Sequence, residues 1–170
     1  MRKLIAKIIT ISFLLLNFAF AESPTLKIAP SFSLYDIKGT PVVLDSLIKR
    51  GPVVMSFWAL WCKMCIKELD ALKPYFSELE SLGINFLAIS QDKAKAKEAV
   101  RSFVVGKKWP YQILLDPNNK LRKLYNVQVM PTLFIINEEK EIIYIHQGYK
   151  PGDEKKLMEK VRSIKRCATE

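Results

Sequence analysis

Cys62 and Cys65 stand two residues apart in Trp58-Ala59-Leu60-Trp61-Cys62-Lys63-Met64-Cys65, directly after the apolar run Val53-Val54-Met55-Ser56-Phe57. Two thiols at that spacing can close a small disulfide across the first turn of a helix. A buried strand that ends in Trp-Cys-x-x-Cys and then opens an amphipathic helix has the layout of a dithiol redox site. Cys62 then occupies the helix N-terminus, where unpaired backbone N–H groups and the macrodipole favour a thiolate. The thiolate is the attacking species, so this placement makes Cys62 reactive. Glu68 follows Cys65 by three residues, about one helical turn, which makes the two side chains neighbours. It also stands on the border of an apolar stripe. A partly buried carboxylate has a raised pKa and can exchange a proton with a thiol. The plainer reading of Glu68 is an acid that complements the helix N-terminus.

Other chemistries fit less well. A structural zinc site usually takes four ligands, and beyond the pair the chain offers only His146 and Cys167. A copper-binding module would need a thioether or imidazole cluster, for which Met64 and Met130 are the nearby candidates. Cys167 lies in the polar tail Lys165-Arg166-Cys167-Ala168-Thr169-Glu170 and reads as a spare exposed thiol. His146, the sole histidine, falls on a late strand and reads as a surface or edge residue.

The elements around the pair follow from periodicity. Phe32 and Leu34 alternate with polar neighbours, Asp36 to Pro41 reads as a turn, and Val42-Val43-Leu44 returns, which predicts an N-terminal β-hairpin. Asp45 or Ser46 is the expected cap of a brief helix over Leu47 to Lys49, ended by Gly51-Pro52. Val53 to Phe57 is apolar enough for a central strand covered on both faces. The helix opened by the cysteines is expected to reach Leu82, with Leu69, Leu72, Phe76 and Leu79 facing the core, Gly83 as its stop and a kink at Pro74. A strand over Ile84 to Ile89 follows, then a lysine-rich helix capped by Asp92 and broken at Trp109-Pro110. Ile113 to Leu115 is a short strand, Asp116 to Asn119 a turn and Lys120 to Tyr125 a short helix. The strand Leu133 to Ile136 is followed by an antiparallel partner, Ile142 to Ile145, and a terminal helix, Asp153 to Arg166. Strands alternating with helices, then a hairpin and a last helix, predict an α/β three-layer sandwich with a mixed central sheet.

The chain has 170 residues, 49% of them apolar, enough for one domain with a sizeable core. Residues 1–21 combine Arg2, Lys3 and Lys7, an apolar run from Ile8 to Phe18, and Ala19-Phe20-Ala21, the pattern of a secretory signal peptide or an uncleaved membrane anchor. Residues 22–30 read as a linker and 31–170 as the folded domain. Without the leader the formal charge falls from +10 to +7. The surplus is scattered, with no basic stripe interleaved with aromatics, so nucleic acid is not an expected partner. An exported chain meets an oxidising compartment, where a Cys-x-x-Cys pair has a redox meaning.

Trp61-Cys62-Lys63-Met64-Cys65, together with Val129-Met130-Pro131-Thr132 ahead of an apolar strand, resembles the thioredoxin fold. The hairpin, the additional strand and helix between Ile84 and Tyr125 and the export signal are similar to the TlpA/ResA group of bacterial extracytoplasmic thiol–disulfide oxidoreductases. That resemblance implies a thioredoxin-like sandwich with an N-terminal β-hairpin extension and a central βα insertion. It implies that Cys62 attacks or receives a mixed disulfide and that Cys65 resolves it. It also implies a cis peptide bond before Pro131, substrate pairing along the backbone of Met130, and a proline that keeps metal from the cysteines. Trp61 is expected to shape and shield the site, and Trp58 to pack beside it.

A glutamate at the position of Glu68 is a feature of that group. Thioredoxins carry a buried aspartate where this chain has Ser56, which supports Glu68 as the acid–base group. The implied activity is reduction of disulfides in exported proteins, apocytochrome c among them, with electrons from a membrane thiol donor and no cofactor. Lys63-Met64 departs from the usual Glu-Pro or Gly-Pro dipeptide. Because Lys63 favours a thiolate, an oxidase or isomerase remains the alternative. A peroxiredoxin-like peroxidase would need Thr or Ser where Ala59 stands.

Overall fold

Every residue of Val53–Trp58 is buried, and this strand, β4, is the one the sheet is built around. A strand covered on both faces needs apolar side chains in both alternating sets, and the sequence supplies them. Val54 and Trp58 enter one core, while Val53, Met55 and Phe57 enter the other. Ser56 is the single polar member, and it points to the same side as Val54 and Trp58.

The computed structural model describes residues 27–167; the leader and residues 22–26 lie outside the described residues. The strands are β1 (Lys27–Ile28), β2 (Ser33–Asp36), β3 (Pro41–Val43), β4, β5 (Asn85–Ser90), β6 (Gln112–Leu115), β7 (Thr132–Ile136) and β8 (Glu141–Gln147). The helices are α1 (Leu44–Ile48), α2 (Lys63–Leu72), α3 (Phe76–Ser81), α4 (Lys97–Lys107), α5 (Lys120–Leu124) and α6 (Asp153–Cys167). The sheet order is β1-β8-β7-β4-β5-β6-β2-β3. β4 runs parallel to β5 and antiparallel to β7, so the sheet is mixed as expected. Helices α2, α3, α4 and α6 supply the first core through Leu69, Leu79, Val100 and Val161, and α1 and α5 supply the second through Leu47 and Leu121. This is a thioredoxin-like three-layer arrangement, with the hairpin β2–β3 added to the free side of β6.

Local details depart from expectation where tertiary contacts win. α1 starts at Leu44 with no side-chain cap, so Asp45 and Ser46 lie inside it. Asp45 accepts from Lys140 Nζ at 2.6 Å instead. Asp92 does not cap α4, whose N-cap is Ala96 after a 3-10 turn over Ala94–Ala96. The expected helix through Leu82 is divided: Pro74, which has no N–H to donate, lies in a 3-10 turn over Lys73–Tyr75 between α2 and α3. Gly83 has φ +68, the left-handed stop. Lys27–Ile28, within the expected linker, pairs with β8 at Ile142 and Glu141.

Candidate active site

β4 delivers the chain to the surface through Ala59 and Leu60, and α2 begins at once. Cys62 is its N-cap, with φ −88° and ψ 90°. Its sulfur accepts the backbone N–H of Cys65 at 3.2 Å, which satisfies one of the helix's orphan donors. Cys62 and Cys65 form a disulfide with their Cα atoms 5.3 Å apart. Cys62 is 7% exposed and Cys65 is wholly buried, so the first cysteine is the one within reach of a partner. Trp61, at 68% exposure, and Met64 stand out beside them, whereas Trp58 is buried against Phe103 and Trp109. The loop is pinned from the side by Asp92, whose carboxylate accepts the Leu60 N–H at 3.0 Å and the Ser90 hydroxyl at 2.9 Å. The sequence offered Asp92 only as a helix cap. Its real partner is 32 residues away, and periodicity carries no signal for such a contact.

The Met130–Pro131 peptide is cis. Thr132 begins β7 and bonds back through its hydroxyl to the Val129 carbonyl at 2.6 Å. The Gly148 N–H donates to the Pro131 carbonyl at 2.8 Å, which ties this turn to the end of β8. Met64, Met130 and Pro131 share the wall of an open groove of about 440 Å³, whose far side is made by His146, Gly148, Tyr149 and Lys150. His146 lies on β8 beyond the pairing with β1, as an edge position requires. Its side chain is 29% exposed and its Nε2 lies 3.1 Å from Asp153 Oδ2.

Glu68 lies on the inner face of α2 with Cys65, Leu69 and Leu72 and is 3% exposed. That spacing turns its carboxyl toward β4, where the Ser56 hydroxyl donates to it at 2.5 Å. The serine that stands where thioredoxins carry an aspartate therefore donates its hydroxyl to the Glu68 carboxyl. Burial raises the Glu68 pKa from 4.5 to about 7, with the Ser56 hydrogen bond opposing and the charge of Asp153 adding to the rise. Among the described residues, no three His, Cys, Asp or Glu side chains come together as a metal site. The side chain of Cys167 lies outside the described residues.

Residues 26–145 match the AhpC/TSA family. A thiol–disulfide oxidoreductase ResA of Bacillus cereus is 27% identical over 136 residues, covering 78% of this chain and 77% of that protein. The thioredoxin-like protein YneN of Bacillus subtilis (strain 168) is 33% identical over 124 residues, covering 71% of this chain and 69% of that protein. The crystal structure described as a putative thiol:disulfide interchange protein DsbE from Chlorobium tepidum superposes with a TM-score of 0.75 at 24% identity. That match spans 82% of this chain and 96% of the other, and it is a likeness of fold.

Proposed function

We propose that this chain, which belongs to the AhpC/TSA family and is a thiol–disulfide oxidoreductase of the ResA-like kind, reduces disulfides of exported proteins through Cys62 and Cys65. The observation that carries this reading is the disulfide at the N-cap of α2, with its outer cysteine the more exposed of the two and Met64, between them, sharing a groove with Met130 and the cis Pro131. Cys62, as thiolate, attacks one sulfur of a substrate disulfide; that S–S bond breaks, its electron pair leaves on the other substrate sulfur, and a mixed disulfide remains. Cys65 gives its proton to Glu68 and attacks Cys62 Sγ. The Cys62–Cys65 bond forms, the bond from Cys62 to substrate breaks, and its electron pair leaves on the substrate sulfur. Trp61 screens the exchange from one side, and the backbone of Met130 holds the extended substrate on the other, with Pro131 keeping metal from the thiols.

Apocytochrome c before haem attachment is the substrate we favour, and a membrane thiol donor would return electrons to the dithiol. Residues 1–21 would act as signal peptide or tether, placing the domain outside the cytoplasm. Among the described residues no helix is long and apolar enough to cross a membrane. The oxidase reading rests on Lys63 beside Cys62. The peroxidase reading lacks support at Ala59, a buried methyl where that chemistry needs a hydroxyl.

The test is the reduction potential of Cys62–Cys65 in a glutathione or dithiothreitol redox buffer. A value near that of thioredoxin, about −270 mV, fits a reductase that must be recharged. A value between about −120 and −180 mV marks an oxidase or isomerase and removes apocytochrome c reduction.

A further inference from the structure

A proton that Glu68 takes from Cys65 must leave before the next cycle. Ser56 offers no exit, since it is wholly buried in the middle of β4. Tyr111, on the β6 side, gives its hydroxyl to the Leu69 carbonyl at 2.7 Å, and burial pushes its pKa up. The remaining side of the carboxyl faces a narrow, partly open pocket with about 10 Å³ of room, with Glu68, Tyr144, His146, Tyr149, Asp153 and Glu154 as its polar lining and leucines making up the rest. That is room for a single water. Among the described residues, no lysine or arginine lines it.

His146, Tyr149 and Asp153 also line the open groove beside Met130 and Pro131. These three side chains therefore stand between the buried carboxyl and the place where a substrate sulfur departs. Two of them are poor carriers. Burial and the Glu154 carboxylate, which accepts the Tyr149 hydroxyl at 3.0 Å, push the Tyr149 pKa up to about 12. The Lys156 ammonium and the Lys150 N–H hold Asp153 ionised, with a pKa of about 2. An imidazole differs in kind: a ring nitrogen both takes up and gives back a proton, and with Nε2 on Asp153 that exchange falls to Nδ1 here. The ring of His146 is further held by Tyr144, stacked on it at 6.3 Å with 3° between the planes.

We propose that His146, oriented by Asp153, is the proton port of Glu68, connecting the pocket beside its carboxyl to the substrate groove. The inference rests on the acid–base role proposed for Glu68. The Cys65 proton passes to Glu68 as the Cys62–Cys65 bond forms, then across the pocket to His146, and from the imidazole to the thiolate leaving in the groove. The proton lost by one sulfur is gained by another, and the electron pair travels only through the exchanging sulfurs.

The experiment uses reduced full-length protein and a symmetric disulfide of a cysteine peptide, whose departing thiol takes up a proton near neutral pH, in dilute buffer so that buffer does not carry the proton. With acid quench and mass spectrometry, attack by Cys62 is seen as release of the first peptide thiol and build-up of the mixed disulfide, and resolution by Cys65 as release of the second. His146→Gln should leave the first release unchanged and slow the second by about tenfold, less than the loss of a direct acid–base group. Added imidazole should restore the second release in H146Q but not in Glu68→Gln. The reduction potential of H146Q should equal that of the parent, because a port changes rates and not the end states. A parental second release in H146Q, with E68Q slow, overturns the port and leaves Glu68 standing. A slow H146Q that imidazole does not restore, or one whose potential has moved, assigns His146 to packing or electrostatics and also overturns the port. A parental rate in E68Q removes both readings together.

Discussion

Replacing Glu68 by Gln should stabilise the oxidised protein above neutral pH while leaving it unchanged in mild acid. Folding lifts this carboxyl's pKa from 4.5 to about 7, chiefly because burial strips water from the charged form. Between those values the folded protein keeps a proton that the unfolded chain has released, so stability falls as pH rises through that window. At 1.36 kcal/mol per pH unit, the cost once Glu68 is ionised is about 3 kcal/mol. Glutamine keeps the shape and still offers a carbonyl to the Ser56 hydroxyl, but it has no proton to lose. The stability difference between E68Q and parent should therefore grow by about 3 kcal/mol from about pH 4 to about pH 8. Other titrating groups cancel in that difference. Urea unfolding of both oxidised proteins, followed by tryptophan fluorescence at each end of the range, measures it. Parallel pH profiles would falsify the claim that Glu68 carries a burial-raised pKa, and the acid–base role would lose its physical basis.

Four further outcomes are expected. Cys62→Ser should abolish disulfide reduction, and Cys65→Ser should trap a mixed disulfide visible by intact mass; a C62S protein that still turns over refutes the order of attack. Asp92→Ala leaves the Leu60 N–H without its acceptor and should cost about 1–3 kcal/mol in urea unfolding, while Asp92→Asn, which keeps a carbonyl there, should cost less. Equal losses would show that the carboxylate does not act through that bond. Gly51, at φ +140, has no space for a side chain, because a Cβ would sit 2.2 Å from the Gly83 carbonyl oxygen. Gly51→Ala should therefore lower stability by at least about 2 kcal/mol, read as a fall in thermal midpoint.

The redox pair and its strand were legible because their signals are local. Six consecutive residues that are all buried leave an apolar run in the sequence, and a helix that opens on a cysteine leaves the Cys-x-x-Cys spacing. Pro131 was placed as cis only through the family resemblance, since an X–Pro bond is usually trans. Glu68 could be found because its helical spacing puts it on the face of Cys65 and Leu72. Its contact with Ser56 could not, because it spans two elements. Asp92 was misjudged for the same reason. It was assigned to the nearest helix, whereas its carboxylate accepts the Leu60 N–H 32 residues away. The pairing of Lys27–Ile28 with β8 was equally invisible, since two residues are too few for any period to register.

The position of β4 in the strand order bears on how such a protein can change over generations. Its two neighbours, β5 and β7, frame the dithiol, whereas the short β1 and the β2–β3 hairpin lie at opposite ends of the sheet. Material can be gained or lost at either end without altering what borders the reacting sulfurs. The fold thus separates two kinds of change: strands added at the rims leave the borders of the reacting sulfurs as they are, whereas one inserted beside β4 would not.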